Sequence, residues 1–511
     1  MAAFRKHASV GRRQVTPGAA GTDRTAGSGG QGYGTRLDAG TERPSVRPAA
    51  RGAPTMGRRA FWRYAATAAA GSAWGLAACS RGTDGRLHAP IQSTGPRVKL
   101  SVQANYFAVP PDKAVPFLTQ ALSPFLQANK QIDVVLQPVP AGPHPVSSPT
   151  LTALVGGQGP DIISDYDISP YVEKGLLLDL TPYVKGSNLD LSLFSAGQLH
   201  NYQSPDGRLY ALPAYTAVAA VYVNLDILSG MGVHRPSPSW TYQEAQTIWE
   251  QTTVRSADPK KQRYGGKLNF LGLTNGPSAF YLHGWGGSYV DPNNRARCAL
   301  DSPASVAAGE WCYAMLAEGL CSTSANFGSG QLTTDVEGTA FTLYSALNWR
   351  GLNWRLYPMP VWPNGFATFA NSNFYAVSAA SAHKEEAWQY LRWICATKDW
   401  QRSMMKLFLF PPALKELFPE YVDTVYAVAP QLRGRNLEVY VETVNQPVFT
   451  GTAFADASDQ AYALMNPYLA PGGSIASGKM SVSAAFKQLA SIVNSFEATQ
   501  SNAQAGSAPK A

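Results

Sequence analysis

Residues 98–165 alternate strand, helix, strand, helix, strand, and that order leaves few folds open. "RVKLSVQAN" alternates apolar and polar residues as a first strand. "IDVVLQPV" is nearly continuously apolar, as a strand buried on both faces should be. "DIISDY" reads as a third strand. Between the first two, "KAVPFLTQALSPFLQAN" sets Val115, Leu118, Leu122, Phe125 and Leu126 at helical spacing, with an interruption expected at Pro124. A shorter helix is expected near Thr150 to Val155. Strands alternating with helices predict an α/β lobe with a largely parallel sheet.

Helical patterns continue at "ISPYVEKGLLLDL" and at "SWTYQEAQTIWEQTT", where Thr241 and Glu244 have capping-box spacing. They recur at "SPASVAAGEWCYAMLAEGL", at "HKEEAWQYLRWICA" with Ala387, Trp388, Leu391, Ile394 and Cys395 on one side, and at "SVSAAFKQLASIVNSFEA". The residues from 79 to 511 exceed the roughly 250–300 that one core supports, so two domains are expected.

Upstream, "MGRRAFWRYAATAAAGSAWGLAACS" (56–80) has the order of an export signal: an arginine cluster (Arg58, Arg59, Arg63), an Ala-rich apolar run, then Cys79 behind small residues. The run is shorter than the roughly 20 apolar residues of a transmembrane helix. Arg58-Arg59 with Phe61 resembles a twin-arginine signal. "LAAC" resembles a bacterial lipobox, which implies lipidation at Cys79. Residues 1–55 nearly lack large apolar residues and cannot form a core. They are a disordered leader, or Met56 is the start; Met56 is the preferred reading.

This arrangement reassigns the charge. The chain has 42 Lys and Arg against 34 Asp and Glu, a formal +8. Residues 1–78 hold 12 against 3, so the remainder holds 30 against 31. The basic balance belongs to the leader and argues for no nucleic-acid partner. Besides Cys79, the cysteines are Cys298, Cys312, Cys321 and Cys395. In an exported protein they permit two bridges, with Cys312 and Cys321 the nearest pair, or buried thiols. No spacing suits a metal, and no cofactor is expected.

Several stretches, in order, resemble the extracellular solute-binding proteins of ABC importers, in the sugar-binding branch that includes maltose-binding protein. They are "LVGGQGPDII" (154–163), "YVEKGLLLDLTPYV" (171–184), "DGRLYALPAYTAVAAVYVNLDIL" (206–228), "PSWTYQEA" (238–245), "GWGGSYVD" (284–291), "DSPASVAAGEW" (301–311), "EGTAFTLYSALNW" (337–349) and "SAHKEEAWQYLRWI" (381–394). The resemblance implies a two-lobe, type II periplasmic-binding-protein-like α/β fold with hinge strands and a ligand cleft between lobes. Crossings are expected at 212–217 and 365–369. Lobe one would be 98–212 plus 370–405, and lobe two 218–365 plus 406–498. Residues 56–78 are the signal, 79–97 the tether and 499–511 a flexible tail.

A sugar presents hydroxyls that need hydrogen bonds and a C–H face that fits an aromatic ring. Residues of those types at expected strand ends and crossings are Tyr106, Asp165, Tyr166, Asp167, Tyr215, Trp285, Trp349, Phe369, Asn371 and Asn373. Each matches a position that lines the cleft in the family the chain resembles. Each also has a plainer reading, as a core aromatic or a loop solvator. Trp354 competes with Trp349, and Asp161 in "GPD" reads as structural. His283, beside Trp285, reads as a hydrogen-bonded loop residue.

The expected function is capture of a sugar or related solute and its delivery to permease subunits of an ABC importer. The protein would be a monomer, lipid-anchored on the outer face of the cytoplasmic membrane. No G-x-S-x-G, H-E-x-x-H or P-loop follows the signal, so no enzyme is expected. An exported glycoside hydrolase, pairing Asp165 with Glu337 or Glu310, and a sensory lipoprotein of the same fold are the alternatives. Arg350 and Arg355, flanking Trp354, keep a phosphate-bearing ligand open.

Overall fold

A computed structural model describes residues 97–104, 109–138, 147–165, 168–204, 206–268, 280–291, 293–336, 342–368, 370–371, 373–444 and 459–507. The export segment, Cys79, Tyr106, Tyr166, Asp167 and Phe369 lie outside them.

The alternating segment forms the sheet expected of it. Val98–Ala104 pairs in parallel with Ile132–Pro138 on one side and with Ile162–Asp165 on the other. Phe374–Val377 adds antiparallel to Ile162–Asp165, and Leu212–Pro213 closes the far edge, giving five strands. The helix over Pro111–Ala128 runs unbroken through Pro116 and Pro124, contrary to the expected interruption. Its apolar face, Leu118, Leu122, Phe125 and Leu126, is buried, and Phe125 packs against Tyr390 and Trp393. Burial of this kind contributes about 1.5–3 kcal/mol per large side chain, enough to offset the backbone bond that a proline removes.

Asp161 is structural, as its "GPD" setting suggests. Its carboxylate accepts from the Ser101 amide at 2.9 Å, the Ser101 hydroxyl at 2.7 Å and the Ser381 hydroxyl at 2.7 Å. It thereby ties the first strand to the start of the helix Lys384–Ala396. Asp161→Ala should lower unfolding free energy by about 2 kcal/mol, measured by urea denaturation; a loss within about 0.5 kcal/mol would deny the clamp this role.

A second sheet takes Val221–Asn224 as its centre, between Thr334–Asp335 and Trp354–Tyr357, both antiparallel. Its central strand alternates in the way that divides a sheet between two cores. Val221 and Val223 join a core with the helices Tyr242–Thr252, Pro303–Ala317 and Val482–Ser507. Tyr222 instead joins the core of the first sheet, together with Trp354 and Leu356. Most buried apolar side chains from Leu407 to Tyr440 belong to that same continuous core. The helix Tyr242–Thr252 carries the expected capping box: Thr241 and Glu244 each bond the other's backbone N–H.

All four described cysteines are buried, and no disulfide links them. The bridge open to Cys312 and Cys321 does not form. Cys298, Cys312 and Cys321 pack in the second core, and Cys395 in the first. Burial pushes the Cys298 thiol up to about 11, so it stays protonated and inert at neutral pH.

Candidate functional site

Two chain segments run between the sheets and pair with each other. Leaving Leu212–Pro213, the chain passes through Ala217–Val218 to reach the second sheet; returning, it passes through Ala370–Asn371. These form an antiparallel ladder, Ala370 opposite Val218 and Asn371 opposite Ala217. The expected second crossing at 365–369 is displaced. Gly365–Phe366 closes a hairpin with Val361–Trp362, and the ladder falls a few residues later. Buried backbone groups need partners, and mutual pairing supplies them where each strand is between sheets.

Three of the candidate residues meet where the register brings strand ends together. Asp165 ends the third strand, and Phe374 stands opposite both Asp165 and Pro213. Asp165, Asn373 and Tyr215 therefore share the carboxyl edge of the first sheet, where open α/β sheets hold their ligands. The Tyr215 hydroxyl donates to Asn373 Oδ1 at 2.6 Å, and the Tyr171 hydroxyl donates to Asp165 Oδ2 at 2.6 Å. All three candidates are buried. Desolvation raises the Tyr215 phenol well above its ordinary value, so it remains a neutral donor. Asn371 lies on the ladder itself.

The two tryptophans pack elsewhere. Trp285 is half-buried in an aromatic layer, with Trp311 at 5.0 Å, Tyr242 at 5.2 Å and Trp362 at 5.6 Å between ring centroids. It is reached through Gly286, at φ +81°, and Gly287, where an added Cβ would lie 2.6 Å from the Ser305 amide nitrogen. Trp349 packs against Phe327 at 5.3 Å and Tyr222 at 5.6 Å. Trp354, its competitor in sequence, is buried with the Arg435 guanidinium 5.0 Å over its ring. Arg350 and Arg355 are exposed.

Sequence reasoning passed over the residues that brace this edge. Gln401 is fully buried: its Nε2 donates to the carbonyls of Ala214 at 3.0 Å and Ile394 at 3.2 Å, and its Oε1 accepts from the Ala413 amide at 2.9 Å. A signal was present. Gln401 shares the face of Met404, Met405 and Phe408, where a lone amide marks a hydrogen-bonding task.

His283, next to Trp285, is a titration point. Desolvation lowers its pKa to about 4 from an ordinary 6.5. The folded state therefore favours the neutral ring. Its contribution is full above pH 6.5 and is lost as pH falls through the folded value near 4. We expect His283→Asn to flatten the stability profile between those limits by about 2 kcal/mol, after discounting for partial exposure. Denaturation at pH 7 and pH 4.5 checks this; an unchanged difference between variant and parent would refute it.

Among the described residues, no cluster of His, Cys, Asp or Glu suits a metal ion, and no helix is long and apolar enough to cross a membrane.

Residues 120–432 match the family described as bacterial extracellular solute-binding protein. A curated relative in Deinococcus radiodurans, described as a probable ABC transporter-binding protein, is 25% identical over 294 residues. The alignment covers 52% of this chain and 66% of that relative, just under two thirds of its length. The fold is similar to that of an ABC substrate-binding protein from Listeria monocytogenes in complex with cycloalternan (TM-score 0.64, 17% identity, 78% of this chain and 99% of that one). It is also similar to maltose-bound MalE3 of T. maritima (0.59, 18%, 78% and 99%) and to UgpB of Mycobacterium tuberculosis in complex with glycerophosphocholine (0.60, 16%, 80% and 100%). The chain thus has the two-lobe, type II periplasmic-binding-protein-like fold, and the family and these neighbours are binding proteins rather than enzymes.

Proposed function

Because the chain belongs to the bacterial extracellular solute-binding protein family, we propose that it captures a sugar or related polyhydroxyl solute between its lobes and delivers it to the permease of an ABC importer. The observation that carries this reading is the meeting of Asp165, Asn373 and Tyr215 at one strand-end edge, beside the paired crossings. Amide, phenol and carboxylate groups are of the kind that hydroxyls pair with, and here they are held in place by the bonds of Tyr215 to Asn373 and of Tyr171 to Asp165. The ligands of the structural neighbours, cycloalternan, maltose and glycerophosphocholine, bracket the classes to test.

The lobe boundaries given above, the remaining cleft residues and the monomeric state are part of the same proposal. So is anchoring at Cys79 after twin-arginine export, supported by the order of arginines, apolar run and lipobox. The protein is exported, as its extracellular family implies; the anchor would hold it beside its permease. Of the carboxylates named for the hydrolase alternative, Glu337 lies outside the described residues. Asp165 is buried against Tyr171, and Glu310 is exposed on the helix Pro303–Ala317.

A thermal-shift screen of oligosaccharides, monosaccharides, polyols and glycerophosphodiesters tests the reading. A cognate solute at a hundred times its Kd should stabilise the protein by about 2.7 kcal/mol. Stabilisation by a sugar or polyol is the expected result. No shift with any of these, or a shift only with glycerophosphodiesters, would move the solute out of the proposed class.

A further inference from the structure

The helix Ala196–His200 and the turn after it bury Gln198, Leu199, Asn201 and Tyr202 and leave His200 exposed. Leu199 and Tyr202 join the first core, so the two amides lie on a side of the chain where apolar residues are expected. Gln198 is 4% exposed and Asn201 5%. Amides at that depth destabilise the fold unless they are hydrogen-bonded. Gln198 is bonded at one end. Its Nε2 donates to the Thr216 hydroxyl oxygen and to the Tyr215 carbonyl at 3.4 Å. These partners fix which end of the amide is which. The Thr216 hydroxyl gives its own proton to Pro412 O at 2.9 Å, and a carbonyl has no proton to give. Turning the amide over would therefore set oxygen against oxygen. Its Oε1 is an acceptor, and among the described residues no group donates to it. The same is true of the buried Asn201 Oδ1.

Asn201 follows Gln198 by three residues and keeps helical dihedrals, φ −64° and ψ −18°. Positions so spaced are neighbours on a helix surface, with Cβ atoms roughly 5–6 Å apart. We propose that one internal water binds between the two amides, donating to Gln198 Oε1 and to Asn201 Oδ1. A hydrogen-bond reach of about 2.8 Å on each side matches that spacing. Water fits this chemistry better than a cation. Two neutral amide oxygens bring no charge to offset the desolvation of an ion, and among the described residues no cluster of His, Cys, Asp or Glu suits a metal. Water also serves Asn201 with either end of its amide turned inward, as donor to the oxygen or acceptor from the nitrogen. The site stands one bond behind the candidate edge. The water orients Gln198, Gln198 holds the Tyr215 carbonyl and the Thr216 hydroxyl, and the Tyr215 phenol holds Asn373. The water is bound whether or not a solute is present, so the proposal does not rest on the solute class.

A high-resolution crystal structure of the full chain, grown without solute, tests this directly. It should show one ordered peak about 2.7–3.2 Å from both Gln198 Oε1 and the inward end of the Asn201 amide. Asn201→Leu, close in size, then reads the sign of the effect. Leucine takes away one anchor of a bound water, so the folding equilibrium constant should fall about tenfold. Were the Asn201 oxygen truly unpaired, leucine would remove a buried polar atom and raise that constant instead. Poor packing of leucine also lowers stability, so the variant crystal is compared as well. Its peak should be gone while Gln198 Nε2 keeps the Thr216 hydroxyl. No peak in the parent, or a leucine variant more stable than the parent, would overturn the proposal. So would a peak that appears only after soaking with maltose, since that would assign the two amides to a solute. The parent crystal needs no variant to fold.

Discussion

Gly265→Ala should cost about 3 kcal/mol or more and leave the second core poorly packed, a large effect for a single methyl group. A Cβ at this position would lie 2.3 Å from both the Cα and the Cβ of Trp249. The first of these is backbone, in the middle of the helix Tyr242–Thr252, and cannot turn aside as a side chain can. The helix is also pinned in place. The Trp249 indole N–H donates to the Thr334 hydroxyl at 2.8 Å, the Gly265 amide donates to Leu320 O at 2.8 Å, and the Gly265 carbonyl accepts from the Thr334 amide at 2.9 Å. Relief therefore means moving the helix off the second sheet and stretching these bonds. Overpacking usually costs about 1–3 kcal/mol, and a clash with fixed backbone belongs at or beyond the top of that range. Urea denaturation and near-ultraviolet circular dichroism of the tryptophans measure the two effects. A variant within about 1 kcal/mol of the parent, with unchanged near-ultraviolet signal, would show that the helix yields freely.

That contact was invisible in the sequence, and the reason is physical. Periodicity reveals which face of one element is apolar, so the helices at Tyr242–Thr252, Pro303–Ala317 and Lys384–Ala396 and the three parallel strands were readable. Thr241 and Glu244 were readable because a capping box is local. The meeting of Gly265 with Trp249, or of Gln401 with Ala214 across 187 residues, depends on tertiary docking that no local pattern encodes. The same limit acts at the site. Strand ends and crossings could be located, so Asp165, Tyr215 and Asn373 could be named as candidates, but that they share one edge is set by the register. Their bonding, with Tyr171 on Asp165 and Tyr215 on Asn373, required the register. Pro124 failed as a breaker because tertiary burial of Leu122, Phe125 and Leu126 outweighs one lost backbone bond.

Gln401→Leu is expected to destabilise the protein by about 3–4 kcal/mol, although leucine is apolar, similar in size and a better match for a fully buried position on a helix face. Hydrophobic bookkeeping alone would score the change as favourable. The decisive term is what the amide leaves behind. Without it, the Ala413 N–H loses its acceptor and the Ala214 carbonyl loses its side-chain donor. Both groups are buried, and a buried polar group stripped of its partner costs about 1–3 kcal/mol. The bonds to the Ile394 and Cys395 carbonyls, at 3.2 and 3.4 Å, go as well; these carbonyls lie in the final turn of Lys384–Ala396, where helix acceptors lack intrahelical donors. Gln401→Glu separates the two ends of the amide. A carboxylate keeps the acceptor for Ala413 but sets a buried negative oxygen against the Ala214, Ile394 and Cys395 carbonyls, so it should be worse than leucine at neutral pH and recover part of the loss once protonated in acid. Denaturation of both variants at pH 7 and pH 5 measures this ordering. If leucine matched the parent, the four contacts would be contributing nothing net, and residues 214–216 would be held against 410–412 by the Thr216 bonds to Pro411 and Pro412 and by packing of Tyr215 on Phe410. The contrast with Gly265 is instructive: there the chain lacks room for a methyl group, and here it has room for a leucine but no use for one.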